Sequence, residues 1–133
     1  QALIAALADG TIDMVATDHA PHTAEEKARE FAKAPSGITG LETAFSVCNT
    51  YLVQTGKLTP MQLVDRMSKA PAEIYGLTGR AVQQGNFARL VLLDWDTEKV
   101  YETYKSKGIN TPYTSKKLTG SPKAIVTGAK VTE

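Results

Sequence analysis

A short apolar run, followed at once by an acid and two imidazoles, constrains this chain most. Residues 12–16 read IDMVA, and residues 17–22 read TDHAPH. A continuous apolar run bounded by turn-forming residues predicts a buried strand over residues 11–16. Side chains that follow such a strand project from its carboxyl end, the edge where parallel α/β sheets and barrels carry their chemistry. The sequence therefore predicts an α/β fold with functional groups at residues 18–22.

Helical patterns flank the predicted strand. Residues 1–10 have helical spacing and a glycine stop but no N-cap and no initiating Met, so we expect the chain to be a fragment of a larger protein. A second helix is predicted over residues 41–54, with Leu41 on its apolar face. Residues 22–34 are strongly polar, and we interpret them as an exposed loop.

A third helix has clear boundary signals. Thr59 is a good N-cap, and Pro60 suits the first helical position. We expect Pro71 to break this helix before a short one over residues 72–75, because proline lacks the N–H that a helix interior needs.

The pattern changes after residue 78. Residues 89–94 predict a strand, and residues 124–131 predict a hairpin around a Thr-Gly-Ala turn. We therefore predict two units: a barrel-like portion over residues 1–78, and a portion made of strands over residues 79–133.

The composition argues against several classes of function. The net charge is +1 and the lysines are scattered, so nothing favours nucleic acid or a membrane surface. No run approaches the ~20 apolar residues of a membrane helix, and no leader pattern is present. The single cysteine, Cys48, excludes a disulfide framework within the chain and fits a cytoplasmic location.

Asp18 has two interpretations. A carboxylate just past a buried strand is unfavourable unless cations or donors surround it, so it can serve as a metal-bridging or proton-transferring group. It can equally form an N-cap or an Asx-turn. The two neighbouring histidines favour the first interpretation without deciding it.

His19 and His22 are the only histidines in the chain. Together with Asp18 they supply the ligand types of a zinc site. Pro21 bends the chain between them, so we expect at most one of the two to face a site. His19, beside the strand end, is interpreted as a buried, hydrogen-bonded orienting residue, and His22 as the one that reaches a ligand.

Residues 35–40, PSGITG, form a turn cluster. Gly37 and Gly40 expose backbone amides that can bind a carboxylate or amide group. The alternative is a plain loop that leads into a helix. Glu42, in the first turn of that predicted helix, favours the helix dipole and needs no other role.

Five stretches together resemble the dihydroorotase family of the amidohydrolase superfamily, in its longer bacterial type. They are DGTIDMVATDHAPH (residues 9–22), EEK (25–27), APSGITGLETAF (34–45), PAEIYGL (71–77) and GNFA (85–88). The resemblance covers nearly the whole chain. It implies the C-terminal part of a (β/α)₈ TIM-barrel metal-dependent hydrolase, with its last strand, plus strands of a small β-sandwich domain.

The resemblance also implies an activity and site roles. Dihydroorotases use zinc for the reversible cyclisation of N-carbamoyl-L-aspartate to L-dihydroorotate in pyrimidine biosynthesis. Asp18 matches the catalytic aspartate that touches the metal centre and transfers a proton. His22 matches a histidine that binds the substrate carboxylate, and Ser36 and Gly37 match a pair that contacts substrate largely through the backbone. His19 matches no metal ligand.

The chain departs from the family in three ways. Arg89 stands where an acidic residue is usual, before a strand remote from the site. A bulky apolar residue is common at the place of Ser36. The family's His-x-His pair, middle acid or modified lysine and two further histidines are outside this chain, so we expect the fragment alone to be inactive and self-associating. Alternatives are an allantoinase or hydantoinase, which usually lacks a histidine at the place of His22, and an inactive subunit that scaffolds a carbamoyltransferase. A homo-oligomer of the parent is also possible.

Overall fold

The computed structural model describes residues 1–77 and 82–132. Five α-helical elements precede a three-stranded sheet in the described ranges: α1 (Ala2–Asp9), α2 (Ala24–Lys27), α3 (Ala44–Cys48), α4 (Pro60–Val64), α5 (Ala70–Ile74), β1 (Arg89–Val100), β2 (Lys117–Thr127) and β3 (Lys130–Thr132). Wide π-helical turns extend α3 over Asn49–Val53 and join α4 to α5 over Asp65–Lys69. Within these ranges no helix is long and apolar enough to cross a bilayer. The predicted mixture of helix and strand is confirmed.

The first helix ends as predicted. Gly10 takes a left-handed conformation (φ 93°), which glycine adopts without steric cost. The last carbonyl groups of α1 accept hydrogen bonds from a neighbouring helix: Gln62 Nε2 donates to Ala8 O, and Arg66 Nε donates to Leu7 O. These bonds satisfy acceptors that a helix end leaves unpaired, and they fix α1 against α4.

The second predicted helix starts later than expected. It begins at Ala44, and Leu41 is 61% exposed instead of lying on the buried face. The backbone N–H groups of Gly40 and Leu41 both donate to the ring of His19, so this stretch is held in a loop. The expectation that Glu42 lies in the first helical turn is wrong for the same reason.

The third helix confirms its predicted start but not its predicted break. Thr59 and Gln62 form a reciprocal capping box at the beginning of α4. Helical structure then continues through Pro71 to Ile74. Proline cannot donate to the carbonyl five residues earlier, that of Arg66, and this carbonyl instead accepts from Val15 N at 3.1 Å. The wide turn before Pro71 therefore accommodates the proline, and the helix is not broken.

The strand predicted over residues 11–16 is not formed. The segment is bonded to helices instead of to a neighbouring strand, through Ile12 N to Ala6 O and Val15 N to Arg66 O. A strand requires a partner, and residues 1–77 and 82–132 provide none for it. The loop predicted over residues 22–34 is also corrected, because α2 forms a short helix whose capping box joins Thr23 and Glu26.

The sheet confirms the predicted strand and hairpin. All pairings are antiparallel in the order β1-β2-β3, with Leu90 opposite Val126 and Val126 opposite Val131. Strand β1 is longer than expected and changes register between Asp94 and Glu98. The predicted boundary between residues 78 and 79 lies outside the described residues.

A small apolar core joins helices and sheet. The buried side chains of Leu7, Phe45, Leu58 and Leu63 form its centre. Phe45 meets Trp95 of β1 edge-to-face, with ring centroids 5.1 Å apart. Fully buried Ser46 donates to Gly120 O, which anchors α3 on β2. The same helix thus supports both the sheet and the loop that precedes it.

Candidate active site

Two loop segments lie side by side at the candidate site. We call residues 17–22 the aspartate segment and residues 35–40 the glycine segment. A parallel bridge pairs His19 with Ile38, and Ala20 N donates to Ile38 O at 2.9 Å. The register of this bridge sets Asp18 opposite Gly37. The predicted residues of both segments are therefore brought to one place.

His19 joins the two segments through its ring. Its Nδ1 accepts hydrogen bonds from Gly40 N at 3.0 Å and from Leu41 N at 3.2 Å. Because Nδ1 is an acceptor, the neutral ring carries its proton on Nε2. The predicted hydrogen bonding of His19 is confirmed, although the residue is half-buried and not fully buried.

His22 faces oxygen atoms at both ring nitrogens. Its Nε2 lies 2.9 Å from Ser36 O, and its Nδ1 lies 3.7 Å from Glu26 Oε2. A carbonyl oxygen only accepts, so Nε2 is the donor to Ser36. His22 is half-buried. Contact between Ser36 and His22 therefore runs through the Ser36 backbone.

Gly37 occupies a position that only glycine fits. Its φ is 118°, and a Cβ there would lie 2.6 Å from Ala20 Cβ and 3.3 Å from His22 Nε2. The close approach of the two segments depends on this missing side chain. Any larger residue would push the glycine segment away from the ring of His22.

Asp18 is the exposed acidic group of the site. Its φ of 45° is left-handed, a conformation that aspartate tolerates better than most residues. Within residues 1–77 and 82–132 its carboxylate has no hydrogen-bond or ion-pair partner. The Asx-turn and N-cap interpretations both require such a bond, so neither describes Asp18 here. Its carboxylate is free to meet a ligand.

Sequence reasoning missed two residues that hold the glycine segment. Lys27 Nζ donates to the carbonyl oxygens of Pro35 and Gly37, at 2.9 and 3.0 Å. Asn110 Nδ2 donates to the same Gly37 oxygen at 3.0 Å. Lys27 lies in the EEK stretch that contributes to the family resemblance, but the resemblance gave it no role, whereas Asn110 is remote in sequence and gave no signal at all.

Glu42 has a role that differs from the expected dipole interaction. Its carboxylate accepts from Lys105 N at 2.8 Å and from Ser106 N at 2.9 Å. Burial raises the pKa of this carboxyl, but the two hydrogen bonds and the Lys105 ammonium outweigh that effect and hold the pKa below its ordinary value. Glu42 therefore ties the segment between β1 and β2 to the glycine segment.

The described residues do not make up a zinc site by themselves. Across residues 1–77 and 82–132, no group of three or more histidine, cysteine, aspartate or glutamate side chains could hold a metal ion. His19 and His22 are each engaged at a ring nitrogen by backbone groups, at Nδ1 and Nε2 respectively. Asp18, by contrast, has an unengaged carboxylate of the type that metals bind.

Comparison with known proteins identifies the family of this mixed helix-and-sheet chain. Residues 1–131 match the model of the amidohydrolase family, and the chain belongs to that family. A curated dihydroorotase from Brevibacillus brevis is 49% identical over 132 residues, which are 98% of this chain and 31% of that protein. The chain thus spans about a third of the length of the curated relatives it matches.

Solved structures of the family share the fold of the segment. An L-hydantoinase (dihydropyrimidinase) from Arthrobacter aurescens superposes with a TM-score of 0.87 at 29% identity, over 97% of this chain and 30% of that one. The inactive dihydroorotase-like domain of a Chaetomium thermophilum CAD-like multifunctional protein superposes with a TM-score of 0.68 at 21% identity, over 98% of this chain and 34% of that one. The second likeness shows the fold alone.

Proposed function

We propose that this chain is one part of a zinc-dependent dihydroorotase, which interconverts N-carbamoyl-L-aspartate and L-dihydroorotate in pyrimidine biosynthesis. The observation that carries the proposal is the bridge between His19 and Ile38, which brings Asp18 and His22 against the glycine segment. The 49% identity to a protein named dihydroorotase supports it. Activity belongs to the whole protein, placed in the cytoplasm, and the segment alone is inactive.

The architecture proposed for the whole protein is a (β/α)₈ barrel with a small β-sandwich. Residues 1–78 would form the last barrel strand, its loop and the terminal helices, and residues 79–133 would add strands to the sandwich. Two observations support this division. Residues 11–16 form neither helix nor strand and have no neighbouring strand within the described ranges. Val91 of β1 and its cross-strand partner Ile125 of β2 are 54% and 52% exposed, and together they give one face of the sheet an apolar surface suited to packing against further strands.

Each site residue has a proposed task. In the hydrolytic direction the ring C–N amide bond breaks, water gives its hydroxyl to the carbonyl carbon, and its proton goes to the nitrogen. Asp18 would carry that proton, since its carboxylate is exposed and has no partner in the described chain. His22 would bind the substrate carboxylate as a hydrogen-bond donor, and Ser36 and Gly37 would contact substrate through their backbone groups.

Zinc would be held mainly by residues outside this segment, with Asp18 adding its carboxylate. The supporting observations are the family membership and the unengaged Asp18 carboxylate. When bound, zinc would polarise the carbonyl that is attacked.

The proposal is tested on the full-length enzyme with Asp18→Asn and His22→Ala. Removing the proton carrier should lower kcat by at least ~10³-fold, whereas removing the carboxylate partner should mainly raise KM for dihydroorotate. Asp13→Asn is the matched control, because Asp13 is an exposed carboxylate just upstream that lies outside the site. Full activity of Asp18→Asn in zinc-loaded enzyme would contradict the assignment.

The structural likeness to a hydantoinase favours a related cyclic amidase as the second candidate. Dihydroorotate carries a carboxylate that hydantoin and dihydrouracil lack, so the three substrates distinguish the candidates. Preference for dihydroorotate that disappears in His22→Ala supports the first proposal. Equal turnover of the unsubstituted rings supports the second. A zinc-loaded wild type that turns over none of the three would indicate an inactive subunit, for which association with a carbamoyltransferase is then measured directly.

A further inference from the structure

The segment between β1 and β2, residues 101–116, contacts the candidate site. Asn110 makes three hydrogen bonds there. Asn110 Oδ1 accepts from His22 N at 3.1 Å, and Asn110 Nδ2 donates to Gly37 O at 3.0 Å. The Asn110 carbonyl also accepts from Thr39 N at 3.0 Å. One residue thus binds both the aspartate segment and the glycine segment.

The two side-chain bonds make opposite demands. The N–H of His22 requires an acceptor, and the carbonyl of Gly37 requires a donor. A carboxamide supplies both from adjacent atoms, whereas a carboxylate only accepts and an aliphatic group does neither. Asparagine therefore meets a requirement that aspartate, its nearest isostere, cannot meet at Gly37.

Tight packing fixes the distance at which Asn110 acts. A Cβ on the buried Gly108 would lie 2.8 Å from Pro21 Cβ and 3.0 Å from His22 O. The backbone of the 101–116 segment therefore touches the turn that carries His22. Glu42 binds the same segment through Lys105 N and Ser106 N, so its position is fixed from a second side.

We propose that Asn110 is a positioning residue for the substrate carboxylate, because it sets the spacing between His22 and the Ser36–Gly37 backbone. This inference rests on the proposed function and assigns that site a residue from the far end of the chain. The ring of His22 already lies 2.9 Å from Ser36 O. A shift of either segment would change which acceptor His22 Nε2 meets, and the substrate carboxylate competes for that same donor.

The test uses the full-length enzyme with Asn110→Asp and Asn110→Ala. Either change should raise KM for dihydroorotate about tenfold while kcat falls much less, since binding geometry and not proton transfer is disturbed. Asn110→Gln, which keeps donor and acceptor, should recover part of the loss. Lys107→Ala is the matched control, because Lys107 is exposed in the same segment and forms no hydrogen bond or ion pair within the described residues.

A double-mutant cycle separates positioning from general destabilisation. If Asn110 acts through His22, Asn110→Ala should have little further effect on KM in a His22→Ala background. Additive losses in the cycle, or a KM unchanged in Asn110→Asp, would overturn the inference. The inference would also be overturned if kcat fell to the same extent in every Asn110 variant and the melting temperature fell with it.

A readout without turnover keeps the inference separate from the proposed function. Amide hydrogen exchange at His22 should accelerate about tenfold in Asn110→Ala, because its acceptor is gone, while Thr39 keeps its bond to the residue 110 carbonyl and serves as an internal reference. A wild type without dihydroorotase activity would contradict the proposed function. In that case the amide hydrogen exchange at His22 would be the one test of the inference about Asn110, and unchanged exchange in Asn110→Ala would overturn it.

Discussion

Lys27 Nζ donates a hydrogen bond of 3.0 Å to the carbonyl oxygen of Gly37, and it reaches the carbonyl of Pro35 at 2.9 Å as well. Lys27 is held in turn by α2, which the capping box of Thr23 and Glu26 stabilises. A cation therefore fixes the direction of two peptide groups in the glycine segment.

The first prediction concerns this lysine. Lys27→Met removes the donor but keeps the length of the side chain, so it should raise KM for dihydroorotate about tenfold, the loss expected for a charged hydrogen bond. Steady-state kinetics of the full-length enzyme measures it. Lys33→Met is the control, because within the described ranges Lys33 pairs with no acid other than Glu30, and both side chains are exposed. Equal kinetics in the two variants would refute the role of Lys27.

The second prediction concerns the missing side chain at Gly37. Gly37→Ala should destabilise the enzyme by about 1–3 kcal/mol and disrupt dihydroorotate binding, because φ is 118° and the new Cβ meets Ala20. Adding Ala20→Gly should recover part of the binding, since it removes the Cβ at 2.6 Å. Denaturant unfolding and KM together measure both effects.

Gly56→Ala supplies the control for backbone strain. Gly56 has a φ of 71°, and a Cβ there meets nothing within 4 Å. It should therefore cost only about 1 kcal/mol for the left-handed conformation and leave KM unchanged. If Gly37→Ala behaves like Gly56→Ala, close approach to Ala20 and His22 does not matter for the site.

The third prediction concerns acid stability. Hydrogen bonds from the N–H groups of Thr97 and Asp96, with an ion pair to Lys123, hold the pKa of Asp94 far below its ordinary value. A carboxyl with a lower pKa in the folded state adds stability above its unfolded pKa of about 3.9, and this stability is lost as pH falls through the folded pKa. Asp94→Asn should therefore lower the melting temperature at pH 7 and flatten its fall below pH ~4. Asp96→Asn changes an exposed carboxyl in the same irregular part of β1 and should change neither.

The fourth prediction concerns Glu42. Glu42→Gln keeps the size of the side chain but weakens its acceptance of hydrogen bonds from Lys105 N and Ser106 N. Amide exchange at residues 105 and 106 should become faster, and KM for dihydroorotate should rise by a smaller factor than in the Asn110 variants. Glu102→Gln, an exposed acid near the start of the same segment, should leave exchange at both amides unchanged. Unchanged exchange in Glu42→Gln would show that Glu42 does not tie this segment down.

Local signals predicted local structure well. The cap at Thr59, the stop at Gly10 and the hairpin at the end of the chain each depend on residues within a few positions of one another. The continuation through Pro71 was missed because its cause is Val15, which takes the freed carbonyl of Arg66 from outside the helix. Tertiary partners of this kind leave no periodic signal.

The same distinction between local and distant signals explains which residues of the candidate site could be predicted. Asp18 and His22 were found because an acid and imidazoles after an apolar run form a contiguous motif, and Ser36 and Gly37 came from the resemblance. Their roles stay predictions. Asn110 was missed because its partner His22 is 88 positions away, and no pattern in a single sequence connects the two. The strand over residues 11–16 failed for the related reason that strand pairing is a property of two segments.

The reach of Asn110 back to His22 also imposes an order on how the site is assembled. Chains are synthesised from the amino end, so the aspartate and glycine segments leave the ribosome well before the residue that spaces them. Asp18 and His22 are present early and are joined to the glycine segment by the bridge between His19 and Ile38, but the bonds of Asn110 to His22 and Gly37 form only when the 101–116 segment has docked. Any nascent, truncated or nicked chain without that segment would therefore carry every proposed site side chain and lack the residue that sets the final spacing between His22 and Gly37.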